Sequence, residues 1–277
     1  MVQAAFWFAV MAMLVKLAGE RGLPTMQIVL ARASVTLALS VIGLIRARQR
    51  PWGTNNRLLV MRGVFGSIGF MCFYAAVNHL PLAEATVIHH ISPILTAVIA
   101  ALWLGEKLEG RVLLGMTLAF AGVVMIAQPT TLFGVEAHTA DVPWRYVLVG
   151  VLGALFASFA YAAVRKLGAT EPPILVVFYF PAVAVPVSLP FAISEWVWPD
   201  AEGWLLLVSV GAATQAAQLA LTKGLARERA GRATSVGYLQ IAFAVAFGAA
   251  LFNQVPGPWS WSGIALVISS VFFAQRR

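Results

Sequence analysis

Charge is what this chain of 277 residues has least of. Only 11% of its residues are Asp, Glu, Lys or Arg, against roughly 25% in a soluble domain, so a water-facing surface of ordinary composition is excluded. Cysteine is nearly absent too. Cys72 stands alone, which rules out a disulfide within one chain and leaves the redox compartment unread. No polar linker is long enough to part soluble domains. HExxH, GxSG, separated histidine boxes and any i, i+4 histidine pair are all missing, so neither an intramembrane enzyme nor a metal or other cofactor is expected. No acidic residue falls near the centre of an apolar run; Glu84, beside His79, is close to a run's end.

What is present is hydrophobic: 60% of the residues, with a mean hydropathy of +0.84. The chain begins almost inside its first apolar run, without a charged leader or cleavage motif, so that run is expected to be a retained helix. A helix crossing the hydrocarbon core needs about 20 apolar residues. Ten such runs appear: 3–19, 25–45, 58–78, 84–104, 111–127, 145–165, 173–194, 203–223, 232–252 and 257–275. Pro24, Pro51, Pro81, Gly105-Glu106-Lys107, Pro172-Pro173 and Pro256-Gly257-Pro258 punctuate them. Most joints are short, so sequential helices form antiparallel hairpins. The longest joint is 128–144.

The basic residues follow this count. On the side of the N-terminus fall 14 Lys and Arg, on the other side only Lys16, Arg21 and Arg145, and Arg32 and Arg62 lie within runs. The positive-inside rule then places both termini in the cytoplasm. The same distribution accounts for the net charge of +8 without a nucleic-acid partner. Tryptophans cluster at run ends, where amphipathic rings favour the interface; only Trp7 lies within a run.

The stretch 82–123 recurs 148 residues later without a gap. Ala85-Thr86 returns as Ala233-Thr234 and Gly115 as Gly263, while His90 becomes Tyr238, Ser92 becomes Gln240 and Glu106 becomes Gln254. The expected organisation is therefore two repeats, 1–130 and 144–277. Five helices per repeat is an odd number, so the copies cross in opposite directions. Inverted repeats of this kind build secondary transporters with a site near the midplane.

Polar groups inside a bilayer should face the bundle interior. Ser67, Met71, Tyr74 and Asn78 share one face of helix three, and Thr214, Gln215, Gln218 and Thr222 one face of helix eight. Both interhelical hydrogen bonding and a polar wall along a substrate path remain open for them. His89 and His90 precede Ser92 and Pro93, and Pro93 deprives an upstream carbonyl of its donor; one imidazole is expected to face a cavity. Arg32 lies about two turns into helix two, where an ion pair with Glu84, snorkelling or a substrate carboxylate are the alternatives. Arg62, about one turn from the cytoplasmic face, reads as an interfacial anchor. Trp7, Phe156 and Phe159 are apolar candidates for substrate contact, with lipid or core packing as the plainer reading. Gly63, Gly66 and Gly69 point to tight helix packing. Helices five and ten carry few polar residues and should be peripheral.

The segment SPILTAVIAALWLGEKLEGRVLLGMTLAFAGVVMIA, with its helix-four proline, Gly105-Glu106 and helix-five glycines, resembles the signature of the drug/metabolite transporter superfamily, EamA type. Arg32 fits that pattern. The second copy departs from it at Asn253-Gln254 and at Ile241, which stands where the first has Pro93. Within the superfamily the chain is similar to the YddG aromatic amino-acid exporters. The resemblance implies an all-α polytopic membrane protein. Ten transmembrane helices form two inverted five-helix repeats around a central cavity, lined by helices one to four and six to nine. It also implies an inner-membrane secondary transporter that exports amino acids, including aromatic ones, by alternating access. Another small metabolite or drug is the alternative. The cavity candidates are Trp7, Arg32, Tyr74, Asn78, His79, His89, His90, Ser92, Gln215, Gln218, Thr222, Tyr238 and Gln240. A small-molecule substrate and the lipid bilayer are the expected partners; monomer and homodimer both stay open.

Overall fold

A computed structural model describes residues 1–80, 82–128, 132, 143–252 and 257–275. The side chains of Asn78 and Glu84 lie outside the described ones, as do Pro81, Asn253, Gln254, Pro256 and most of the 128–144 joint. The helices are α1 Val2–Glu20, α2 Thr25–Arg46, α3 Asn56–His79, α4 Leu82–His89, α5 Ser92–Leu104, α6 Gly110–Ala127, α7 Trp144–Leu167, α8 Pro173–Ser194, α9 Ala201–Arg227, α10 Ala230–Ser235, α11 Leu239–Phe252 and α12 Pro258–Gln275. Together α4 and α5 make the fourth span, and α10, a short 3-10 turn at Val236–Tyr238 and α11 make the ninth. Nine spans among the described residues are long and apolar enough to cross a membrane. The tenth expected span, α12, is a helix of 18 residues whose hydropathy is diluted by four serines and two tryptophans.

The repeat extends through the whole bundle. Shifting the bounds of α2 by 148 residues gives those of α8, and the same shift takes α6 onto α12. The copies run oppositely. Gln27, near the start of α2, bonds the backbone of Val197 just past the end of α8, while Gly43 near the end of α2 meets Ile174 at the start of α8. Likewise Gly115 of α6 abuts Ala274 of α12, and Gly122 abuts Gly263.

Packing obeys the same two-fold relation. The pair α3–α7 has its image in α9–α1, α3–α8 in α9–α2, and α5–α7 in α11–α1. Glycines set the closest approaches. A Cβ on Gly63 would stand 2.5 Å from the Tyr179 carbonyl oxygen, and one on Gly69 would stand 2.9 Å from backbone atoms of α7. The expected tight packing of this glycine series is thus present, divided between two neighbouring helices. The α6–α12 pair seals through Gly115, Gly122 and Gly263 and turns Leu114 and Phe272 outward, which makes these two helices peripheral.

One departure from symmetry carries functional weight. Helices α7 and α9 pack together toward the N-terminal side of the bundle, and α10 packs on α5 there. Among the described residues their images, α1 with α3 and α4 with α11, show no comparable packing. The bundle is closed on the side of its termini and parted on the other.

Candidate functional site

Both interrupted spans break at the same repeat position. In the first copy Pro93 has no N–H to give, and Ile94 N–H turns to the Ile91 carbonyl at 3.1 Å, leaving the His90 carbonyl without a helical donor. The Tyr238 hydroxyl donates to that carbonyl at 2.9 Å. The second copy has Ile241 in place of the proline, yet it breaks as well. Its cause is local. Thr234 and Ser235 hydroxyls bond back to the carbonyls of Ala230 and Arg232, which loosens a helix, and Gly237, a poor helix former, follows. The residues that join the two breaks, His90 and Tyr238, are repeat counterparts.

Around this joint the backbone is held by side chains. Ser158 of α7 donates to the Ser92 carbonyl at 2.9 Å, and Thr234 reaches the Pro93 carbonyl at 3.4 Å. His90 Nδ1 lies 2.8 Å from the Thr86 carbonyl; a carbonyl only accepts, so Nδ1 carries the proton and Nε2 is left as the free nitrogen. His89 stacks obliquely on Phe73 at 4.5 Å. Both histidines are half-buried, as are Tyr74 and Gln240.

A second polar group lies between α2, α3 and α9. Arg32 is 8% exposed; its guanidinium carbon sits 4.0 Å above the Phe70 ring and Nη1 is 3.6 Å from Met11 Sδ. It therefore does not snorkel. Arg62, expected as an interfacial anchor, is also buried, at 3% exposure. Its Nη2 donates to Gln218 Oε1 at 3.2 Å and its guanidinium carbon lies 5.0 Å from the Phe180 ring. Gly66 explains the correction: a Cβ there would stand 2.7 Å from Arg62 Nη1, so the glycine lets the side chain fold along its own helix instead of reaching for the surface. Gln215 and Ser40 bond one another at 3.1–3.2 Å. Buried Arg62 Nε, Ser67 Oγ and Thr222 Oγ1 have no hydrogen-bond partner among the described residues.

The structure thus gathers Arg32, Gln215 and Gln218 in one interior group, and His89, His90, Ser92 and Tyr238 at the break. Thr222 is buried on the same helix as the glutamines. His79 lies apart, exposed at the end of α3 and stacked on Tyr146 at 3.8 Å. Trp7 is 38% exposed and meets Phe6 edge-on. Sequence reasoning missed three participants: Arg62, Ser158 and Tyr161, the last within electrostatic range of both arginines. Only Arg62 left a signal, the small residue four positions on.

The closed side is fastened by ions. Glu106 accepts from Arg165 Nε at 2.6 Å and from the Ala230 N–H at 2.8 Å, and Arg165 Nη1 caps the carbonyls of Leu225 and Ala226 at 3.0 Å. One carboxylate thereby ties the ends of α5, α7 and α9 to the start of α10. Beside it Glu109 pairs with Arg232 and Arg229, each at 2.6 Å. The hydrogen bond from Arg232, reinforced by Arg229, holds the Glu109 carboxyl below the usual carboxylate range.

The chain is similar to known proteins. The EamA-like transporter family matches twice, over residues 1–128 and 144–275. The pseudopaline exporter CntI of Pseudomonas aeruginosa strain UCBPP-PA14 is 31% identical over 276 residues, covering 99% of this chain and 94% of that protein. The riboflavin transporter of Brucella anthropi is 25% identical over 285 residues, covering 100% of this chain and 97% of that one. Mouse solute carrier family 35 member G1 is 28% identical over 287 residues, covering 100% and 77%. A protein of known crystal structure superposes with a TM-score of 0.80 at 19% identity, covering 99% of this chain and 96% of its own.

Proposed function

The chain belongs to the EamA-like transporter family and is a multi-pass membrane transporter, and from that premise we propose that it exports small carboxylate-bearing solutes, amino acids among them, by alternating access. The observation that carries the reading is Arg32. It is a permanent cation, buried about 10 Å into α2, and among the described residues no carboxylate faces it. A guanidinium in that position suits a carboxylate of the solute. The aromatic rings beside it, Phe70, Tyr74 and Phe180, offer an apolar wall to an aromatic side chain. The excess of basic residues on the side of the termini supports cytoplasmic termini and, with the bacterial exporter among its relatives, an inner-membrane location.

The broken spans and the bundle's one-sided closure support alternating access. Half-helices meeting near the midplane give two short levers per copy, and their repeat symmetry supplies the mirror-image state. The test is counterflow in proteoliposomes with labelled phenylalanine and a panel of other amino acids, with and without a pH gradient. Accumulation of an amino acid above equilibrium is the expected outcome; flux of a cationic drug alone would overturn the reading.

A further inference from the structure

We propose that Arg62, together with Gln218, binds an acidic group of the transported solute, and that with Arg32 it makes the path selective for solutes of net negative charge. The proposal rests on the transport reading above and narrows its substrate class.

Four observations point this way. First, Arg62 is buried and its Nε has no partner among the described residues, while the buried hydroxyls of Ser67 and Thr222 are also unpartnered. One hydrogen bond to Gln218 uses one of five guanidinium donors; the buried Nε–H calls for an acceptor. Second, among the described residues no carboxylate is paired with it. The four ion pairs among the described residues involve Glu106, Glu109 and Glu202 at loops or helix starts. Glu84 belongs to the end of the bundle where Ala85 packs on Ala76 and Leu80, about 20 Å along α3 from Arg62.

Third, the fold itself does not require an arginine here. Under the 148-residue shift Arg62 corresponds to Val210 and Arg32 to Phe180, so the second copy packs the same positions with apolar side chains. Two buried cations that no carboxylate pairs with among the described residues, both in the first copy, are a property of the path, not of the architecture. Fourth, at the side closed by the ion pairs a cleft of about 520 Å³ is lined by Lys223, Arg227, Arg232 and one acid, Glu228; with Arg232 already held by Glu109, Lys223 and Arg227 still outnumber that acid, a local field that concentrates anions.

The two arginines approach the midplane from opposite sides, Arg62 about 9 Å into α3 and Arg32 about 10 Å into α2. They act as stations in series. A zwitterion brings an ammonium that neither arginine can match; a dicarboxylate or a phosphate ester brings none, and an acidic amino acid offsets its ammonium with a second carboxylate.

The test compares wild type, R62Q and R62K. Binding is read in detergent as the Tm shift produced by succinate, glycerol 3-phosphate and phenylalanine, and transport as counterflow of the same labelled solutes. We expect anions to raise the Tm of wild type and not of R62Q, with R62K intermediate. The ratio of succinate to phenylalanine flux should fall about tenfold or more in R62Q, the loss of one charge-assisted contact. A response to glycerol 3-phosphate but not succinate would assign the site to phosphate esters. If R62Q does not fold, R62K and Gln218→Leu carry the comparison. An equal anion response in wild type and variants overturns the proposal, as does stabilisation by phenylalanine and by no anion. Counterflow of phenylalanine alone would sink this inference and spare the transport reading. Arg62-dependent anion binding without flux of any solute would do the reverse.

Discussion

A single phenol joins the two copies. Tyr238 is fully buried, and its hydroxyl serves the His90 carbonyl that the break at His90–Ile91 leaves open. Tyr238→Phe keeps the ring and strands that carbonyl, so it should cost about 1–2 kcal/mol, read as a lowered Tm in detergent; an unchanged Tm would show that water serves the carbonyl equally well. The importance of this position was legible in the sequence, because His90 and Tyr238 occupy equivalent places and differ in kind. What they do to each other was not legible, since the bond runs from a side chain to a backbone group that becomes free only once the helix has broken. Arg62 was misjudged for a related reason. Counting turns from a helix end gives depth, but the direction of a long side chain depends on whether its neighbour at 66 has a Cβ.

At the scale of helices the sequence was most readable, because in a bilayer length and hydropathy leave few alternatives. The expected run 173–194 is the observed α8. The peripheral character of α6 and α12 was equally plain from their composition. The break in the ninth span was hidden: it comes from hydroxyls bonding back along the chain and a glycine, which hydropathy does not register. The glycine seams can be probed directly. Gly63→Ala drives a methyl against a backbone oxygen that cannot turn aside, and should destabilise by about 1–3 kcal/mol. Gly19→Ala, where an added Cβ would meet nothing within 4 Å, is the control and should stay close to wild type. Equal losses in the two, measured by thermal denaturation in detergent, would mean that close α3–α8 approach is not what Gly63 provides.

For the whole molecule the informative comparison is between the two sides of the bundle. Glu106 and Arg165 are largely shielded, at 14% and 23% side-chain exposure, so Glu106→Gln should weaken the closed side by more than an exposed pair and less than a fully buried one, about 1–4 kcal/mol. Spin labels at 107 and 228, in a Cys72→Ser background, should report a longer distance in the variant. The same labels should respond to acid. Glu109 has its pKa lowered from 4.5, so its ion pairs contribute fully above pH 4.5 and are lost as pH falls through the lowered value. No change in distance across that range would remove Glu109 from the fastening. None of this was visible beforehand: the basic loops indicated a side, not which carboxylate each arginine would find across four helix ends.

The fastening has no image. Under the repeat shift Glu106 and Arg165 become Gln254 and Leu17, so the two facing states are alike in shape and unequal in free energy. A carrier emptied on the far side rests there, and its unladen return is the uphill stroke of the cycle. Export should then run faster when solute waits on the far side than into an empty compartment, since a loaded carrier recovers part of that cost through the contacts it makes with its cargo. Trans-acceleration of this kind, stronger than in an Arg165→Leu variant, is the kinetic imprint of one unmatched carboxylate.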